Sequence, residues 1–155
     1  MPPRIATFDW KPFDATQKHS RTFDAENAQP LTLFADRIGG SNVFGAFHDS
    51  KLVGIAGLLI GKGQKEAHKG RLVGMYVRPS ARKVGVGRRL VETIIESARH
   101  SVELIQLAVV SDNEPARRLY ERLGFVEYGL EKKALKQDGR YYDEVLMAKN
   151  LKPED

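Results

Sequence analysis

The stretch Leu72–Ala98 constrains this chain more than any other, because it reads as a strand, a tight basic turn and a helix in immediate succession. Leu72–Val77 is a short apolar run with β-branched and aromatic members, which favours a strand, and Pro79 stops sheet pairing just beyond it. From Val86 the apolar residues fall at Val86, Leu90, Val91, Ile94 and Ala98, one face of a helix. Arg88, Arg89, Glu92, Glu96 and Arg99 lie elsewhere on its surface. Between strand and helix stand Arg82, Lys83, Val84, Gly85, Val86 and Gly87. Glycines without a Cβ let a ligand approach the backbone. The N–H groups of a first helical turn, with the helix dipole behind them, favour an anion there. With Arg82, Lys83, Arg88 and Arg89 added, the natural occupant is a polyphosphate.

Other nucleotide-binding loops fail on these residues. A dinucleotide fingerprint starting at Gly85 needs glycine at position 90, where Leu90 stands. The nearest approach to a P-loop, Gly57–Lys62, is one residue short and ends in Gly63. The pattern that fits is R-x-x-G-x-G. With its flanking strand and helix it resembles the pyrophosphate loop of the GNAT acetyltransferase superfamily.

At 155 residues the chain is expected to form one domain, 1–155, with room for a real core. A hydrophobic content of 41% and a charged content of 29% are those of an ordinary soluble globular protein. The net charge of +5 suits an anionic ligand. No RRM, zinc or helix-turn-helix signature accompanies it, so a nucleic-acid partner is not expected. No apolar run approaches the length of a membrane span and Met1–Ile5 opens no signal-peptide pattern, so the reading is a cytoplasmic protein without a membrane partner. Zero cysteines exclude a disulfide, a thiolate metal site and an acyl-cysteine intermediate. His19, His48, His68 and His100 lack metal spacing, so no metal is expected, and no G-x-S-x-G elbow occurs.

Ahead of the central stretch, Ile5–Phe8 reads as a first strand and Phe13–Phe34 as helix with a break near Pro30; Gly39–Gly40 marks a turn. Asn42–His48 and Leu52–Ile60 read as two strands joined by Asp49, Ser50 and Lys51, and a polar loop runs from Gly61 to Lys69. Beyond the helix, Leu104–Val110 reads as a strand that a right-handed crossover makes parallel to Leu72–Val77. Asp112, Asn113, Glu114 and Pro115 start a second helix. Ala116, Leu119, Tyr120 and Leu123 form its apolar face, Arg117, Arg118, Glu121 and Arg122 face water, and Gly124 ends it. Phe125–Tyr128 and Tyr142–Met147 read as strands across a basic loop with a turn at Asp138–Gly139.

Ser111–Phe125 closely resembles the second GNAT signature, N-x-x-A-x-x-x-Y-x-x-x-G-F, and the two signatures stand in the family's order. The resemblance covers residues 72–128 well and the first forty hardly at all. It implies an α/β fold with a mixed, mostly antiparallel sheet, a splayed parallel strand pair and helices on both faces. It implies acetyl-CoA as co-substrate and transfer of an acetyl group to a primary amine of a small molecule or peptide. On the family's pattern, backbone groups of Met75, Tyr76 and Val77 pair with the pantetheine arm. The pyrophosphate sits on Arg82, Lys83, Val84, Gly85, Val86, Gly87 and Arg88, and Asn113 holds the pantetheine arm. Tyr120 donates a proton to the departing sulfur. Asn113 as a simple helix cap and Tyr120 as a core aromatic remain the plainer readings of the same residues. The resemblance also leaves room for a homodimer, and for a non-catalytic acyl-CoA sensor as the alternative function.

The reaction needs a neutral amine, and a lysine-like amine is only about one part in a thousand neutral at pH 7. Some family members supply a glutamate five residues before the matching asparagine; here that position is Ala108. This departure counts against the subgroup that acetylates protein amino termini with such a glutamate. Glu66, His68, Glu103 or a water chain could substitute, and a backbone N–H near Val77 could hold the oxyanion. The acceptor is expected between the N-terminal helices and the loop Lys132–Asp143, with Trp10, Phe23, Tyr141 and Tyr142 as candidate lining residues. Lys132, Lys133 and Lys136 disfavour a polycationic acceptor.

Overall fold

The structure is a computed structural model that describes residues 42–48 and 51–152. The elements there are β1 (Asn42–His48), β2 (Lys51–Ile60), β3 (Lys69–Val77), α1 (Val86–Ala98) and β4 (Leu104–Val110), followed by α2 (Glu114–Arg122), β5 (Val126–Gln137) and β6 (Arg140–Asn150). The strand read at Ile5–Phe8, the helix within Phe13–Phe34, the Gly39–Gly40 turn and the Asp49–Ser50 connection lie outside the described residues.

One six-stranded sheet runs in the order β1-β2-β3-β4-β6-β5. Pairs β1–β2, β4–β6 and β5–β6 are antiparallel, as short connections or a returning chain allow. The pair β3–β4 is parallel, because α1 carries the chain back between them, and it registers Lys69↔Leu104, Gly70↔Ile105 and Arg71↔Gln106. This is the mixed α/β sheet with a single parallel pair that the two signatures imply. Among the described residues no helix is long and apolar enough to cross a membrane.

The described residues pack as two compact units, one of those up to Leu59 with Leu72–Glu96, the other of Ile60–Arg71 with those from Ser97 onward. In the first unit, Val86, Leu90, Val91 and Ile94 of α1 are buried as their spacing predicts, and Ile95 joins them. Each such side chain stabilises by roughly 1.5–3 kcal/mol, so this face holds α1 in place far more than helix propensity does. β2 supplies the opposing surface through the face of Gly54, Ala56 and Leu58, while Ile55 is buried on the other face of the strand. Gly54 is the point of closest approach. A Cβ there would meet Leu90 Cδ1 at 3.0 Å, Val86 Cγ1 at 3.2 Å and the Tyr76 carbonyl oxygen at 3.2 Å. The end of β3 and the first turns of α1 therefore pack tightly on β2.

In the second unit β4 alternates, with Ile105, Leu107 and Val109 buried and Leu104, Gln106, Ala108 and Val110 half-buried. Val145 and Met147 of β6, Tyr120 of α2, Phe125, and Ala98 and Val102 ahead of β4 are buried with them. Helix α2 departs from its expected apolar face: Tyr120 alone is buried, while Ala116, Leu119 and Leu123 are half-exposed. Arg117, expected in water, is half-buried and donates to the Ser111 carbonyl at 3.1 Å while pairing with Glu127 at 3.5 Å.

The hairpin also differs from the reading. Residues 132–137 are strand, not loop, and β5 and β6 both extend toward the turn. A two-residue turn with Asp138 and Gly139 both at positive φ closes the ladder at Gln137↔Arg140. The lysines hide this strand from a hydrophobicity pattern, because both faces of β5 are largely in water. Register shifts at Glu127/Gly129 and Glu131/Leu135 interrupt it, the second including Lys133 at φ 53°. Such bulges and charges are how an edge strand resists pairing with another chain.

Candidate active site

In the first unit the site residues follow one another from the end of β3 to the start of α1. Met75, Tyr76 and Val77 are half-buried. Arg78 donates its backbone N–H to the Val53 carbonyl at 2.8 Å and its Nε to the Leu52 carbonyl at 2.8 Å. Backbone polar groups alternate in direction along a strand, so if Arg78 points toward β2, the N–H and C=O of Val77 and Met75 point away from it. The Arg78 N–H is therefore already engaged, and the N–H groups of Val77 and Met75 are those directed away from β2. Gly74, at φ 61°, kinks the strand just before these residues. The sequence signal for that kink was an isolated glycine inside a strand pattern, which marks a bulge.

A 3-10 turn, Pro79–Ala81, leads out of the strand. Arg82 then folds back: its Nε donates to the Val77 carbonyl at 2.9 Å and its guanidinium lies 5.7 Å from the Tyr76 ring centroid. Lys83 and Gly85 both have positive φ, 65° and 87°. These two residues turn the chain so that α1 starts at Val86, and Arg89 makes the bond to the Gly85 carbonyl at 3.1 Å. The N–H groups ahead of Arg89 lie at the open end of the helix, where helix geometry gives them no intrahelical acceptor. Arg88 pairs through Nε with Glu92 at 2.9 Å, and its side chain is exposed. Two of the expected phosphate-binding cations are thus already engaged, Arg82 with the strand end and Arg88 with its own helix. The donor set of backbone amides with Lys83 beside them fits an anionic pyrophosphate group.

In the second unit, Asn113 caps α2: its Oδ1 accepts the Ala116 N–H at 3.3 Å. Its side chain is exposed, so the amide NH₂ stays available to a ligand. Tyr120 lies seven residues on, in the last turns of α2, 5% exposed and edge-on to Phe125 with ring centroids 5.8 Å apart. Burial pushes its phenol up to about 12. Within its own helix Tyr120 stands near the negative C-terminal end, which disfavours the phenolate as desolvation does.

The candidate bases stand apart from these groups. Ala108, with only a methyl side chain, pairs with Leu146 across β4 and β6. Glu103 precedes β4 and Asn113 follows it, so the strand separates them by about 20 Å. Glu103 takes Lys152 Nζ at 2.9 Å, and that hydrogen bond, with the ammonium charge, holds its carboxyl below the usual range. His68 is exposed beside it, its carbonyl accepting the Glu103 N–H at 2.7 Å. Glu66 is exposed and pairs with Lys69 at 3.7 Å. Of the candidate acceptor residues, Tyr141 is 49% exposed and Tyr142 half-buried, while Trp10 and Phe23 lie outside the described residues.

Residues 4–125 match the acetyltransferase (GNAT) family, and the chain belongs to it. It is 34% identical over 116 residues to the uncharacterized protein ML0378 of Mycobacterium leprae, covering 74% of this chain and 32% of that protein. It spans 55% of the length of a second curated relative, from Bacillus subtilis. The crystal structure of a ribosomal-protein-alanine N-acetyltransferase from Brucella melitensis superimposes with a TM-score of 0.68 at 27% identity, covering 81% of each chain. The structure of yncA from Salmonella typhimurium, solved with its cofactor acetyl-CoA, gives a TM-score of 0.68 at 22% identity, covering 87% of this chain and 78% of that one.

Proposed function

We propose that this protein is a cytoplasmic N-acetyltransferase that passes an acetyl group directly from acetyl-CoA to a primary amine of a small molecule or peptide. The observation that carries this reading is the left-handed turn at Lys83 and Gly85, which opens the N-terminus of α1 right after the kinked end of β3. The amides of residues 83–88 hold the pyrophosphate, with Lys83 adding charge. Arg82 acts mainly by bracing the loop on Val77 and Tyr76. The backbone of Met75 and Val77 pairs with the pantetheine arm in the manner of an added strand, and the Asn113 amide donates to the same arm.

Acetyl-CoA supplies a thioester carbonyl open to attack and a thiolate leaving group. The Val77 N–H stabilises negative charge on the carbonyl oxygen. Tyr120, neutral at any ordinary pH, donates its proton toward the sulfur. With Ala108 in place of a carboxylate and Glu103 committed to Lys152, no side chain is assigned as base. The amine loses its proton to water on entering the site. The similarity to a ribosomal-protein-alanine N-acetyltransferase is not extended to the acceptor, because Ala108 offers no base of the glutamate kind.

Thiol release from acetyl-CoA with a panel of amines, amino acids and peptides tests the activity. The loop is tested separately by Gly87→Val, which places a branched side chain where phosphates approach. Calorimetry should show acetyl-CoA affinity falling at least about tenfold in a variant with native circular dichroism, the loss of one or two charge-assisted hydrogen bonds. Unchanged affinity would remove the loop from the site.

A further inference from the structure

The reading above leaves the acceptor's chemistry open, and the tip of the β5–β6 hairpin bears on it. Lys136 stands opposite Tyr141 in the ladder. Its Nζ lies 5.0 Å from the Tyr141 ring centroid, and Lys133 Nζ lies 4.9 Å from the same ring. The two ammoniums are therefore no more than about 10 Å apart, within the screening length of dilute salt, so they repel. Asp143 and Asp112 do not relieve them. Asp143 is spent on the Lys133 backbone N–H at 2.9 Å and on Lys132 Nζ at 3.4 Å. Asp112 pairs with Arg140, whose guanidinium also lies 4.9 Å from the Tyr142 ring. Among the described residues neither Lys133 nor Lys136 has a carboxylate partner.

The strand conformation holds this cluster in place. Lys133 sits at φ 53° in the second bulge of β5, a strained position for a side-chain-bearing residue, and its N–H bond to Asp143 fixes it there. The same Asp143 accepts the Ser111 N–H through its carbonyl at 2.9 Å, and Arg140 reaches Asp112 at 3.3 Å. Ser111 and Asp112 immediately precede Asn113, the cap of the helix that carries Tyr120. The basic tip is thus fastened to the turn that begins the catalytic helix. Two unneutralised cations flanking an exposed aromatic ring suit a ligand with a negative group, and repel one with further positive charge.

We propose that Lys133, Lys136 and Tyr141 form an anion-recognition subsite for the acceptor, whose substrates are amines that also carry a carboxylate or phosphate group. This rests on the acetyltransferase reading, and the test separates the two. Matched pairs are used: an amino acid and its amide, and 2-aminoethyl phosphate and ethanolamine, each with acetyl-CoA. The wild-type protein should prefer the anionic member in kcat/KM by about tenfold to a hundredfold, the worth of charge-assisted hydrogen bonds. Lys133→Gln with Lys136→Gln should abolish that preference while acetyl-CoA affinity stays the same. Equal kcat/KM for both members, or a preference kept by the double variant, overturns the subsite and leaves the transferase reading standing. If no amine is acetylated, calorimetry with the carboxylate and phosphate compounds decides: binding lost in the double variant upholds the subsite while the transferase reading falls, and no binding overturns it. Salt-sensitive binding of random oligonucleotides, lost in the double variant where no acidic amine is preferred, would instead mark the tip as a nucleic-acid contact and overturn the proposal.

Discussion

The proposed proton donor of the second unit is one hydroxyl, that of the buried Tyr120. Its phenol at about 12 stands some 3.5 pH units above a free thiol, so complete proton transfer to a hydrated thiolate would be uphill by about 5 kcal/mol. The useful interaction is instead a hydrogen bond that tightens as the sulfur gains charge in a dehydrated site, where the thiolate's own basicity rises for the reason the phenol's does. A bond stronger in the transition state than in the ground state raises turnover. Tyr120→Phe removes the hydroxyl and keeps the ring against Phe125, so turnover should fall by about 10²–10⁴-fold with acetyl-CoA affinity nearly unchanged. A variant keeping more than about half the wild-type rate would make Tyr120 a packing residue. The raised phenol has a second consequence. Because the folded-state value lies above the unfolded value of about 10, the unfolded chain loses this proton first as pH rises. The stability that Tyr120 contributes is complete below pH 10 and is lost as pH climbs toward 12. Urea unfolding at pH 9 and pH 11 should show the wild-type protein losing about 1.4 kcal/mol more than Tyr120→Phe over that interval. Equal losses would mean that the phenol titrates normally.

At the scale of elements, Asn113 caps α2 and is proposed to hold acetyl-CoA as well, and one substitution can separate the two roles. Aspartate keeps the capping oxygen and suits a helix N-terminus, but has no NH₂ to donate. Asn113→Asp should therefore keep the melting temperature and weaken acetyl-CoA binding about tenfold, the loss of a buried hydrogen bond. Asn113→Ala should do both, losing about 1 kcal/mol of stability with the cap. An aspartate variant that binds acetyl-CoA normally would leave Asn113 as a cap alone. What was legible in the sequence follows the same line between local and distant causes. The buried face of α1, β4 to its exact ends and the cap at Asn113 all arise from residues within a few positions of one another. The fold and the turn that opens α1 were therefore readable. The hairpin was not, because its strand character comes from pairing with β6 rather than from its own lysine-rich pattern. Nor does an apolar pattern reveal that Arg82 turns back to the Val77 carbonyl, or that Arg117 bridges Ser111 and Glu127. These partners are near in sequence, but the spacing of apolar residues does not say which way a long charged side chain folds.

For the molecule as a whole, the proposed transferase reading with Ala108 in place of a carboxylate predicts a particular response to pH. The alternatives that the sequence offers each have another occupation: Glu103 binds Lys152, Glu66 pairs with Lys69, and β4 lies between Glu103 and the α2 turn. A carboxyl held ionised by a lysine is also a weak base, since the same partner that lowers its affinity for protons makes it slow to take one. The amine itself then controls the rate. Below its own pKa, an alkylamine becomes about ten times more abundant in its neutral form with each unit by which the pH rises. With subsaturating acceptor, kcat/KM should climb by about that factor per unit from pH 6 to pH 9, with no plateau near 6 or 7. Replacing the acceptor by a less basic amine should move the whole curve to lower pH by the difference in amine pKa. His68→Ala should leave the curve in place, because His68 stands with Glu103 at the far end of β4 from the Asn113 turn. A plateau above pH 7 in the wild-type protein that disappears in His68→Ala would show that histidine accepting the proton, and would require the acceptor to bind at the opposite end of the strand.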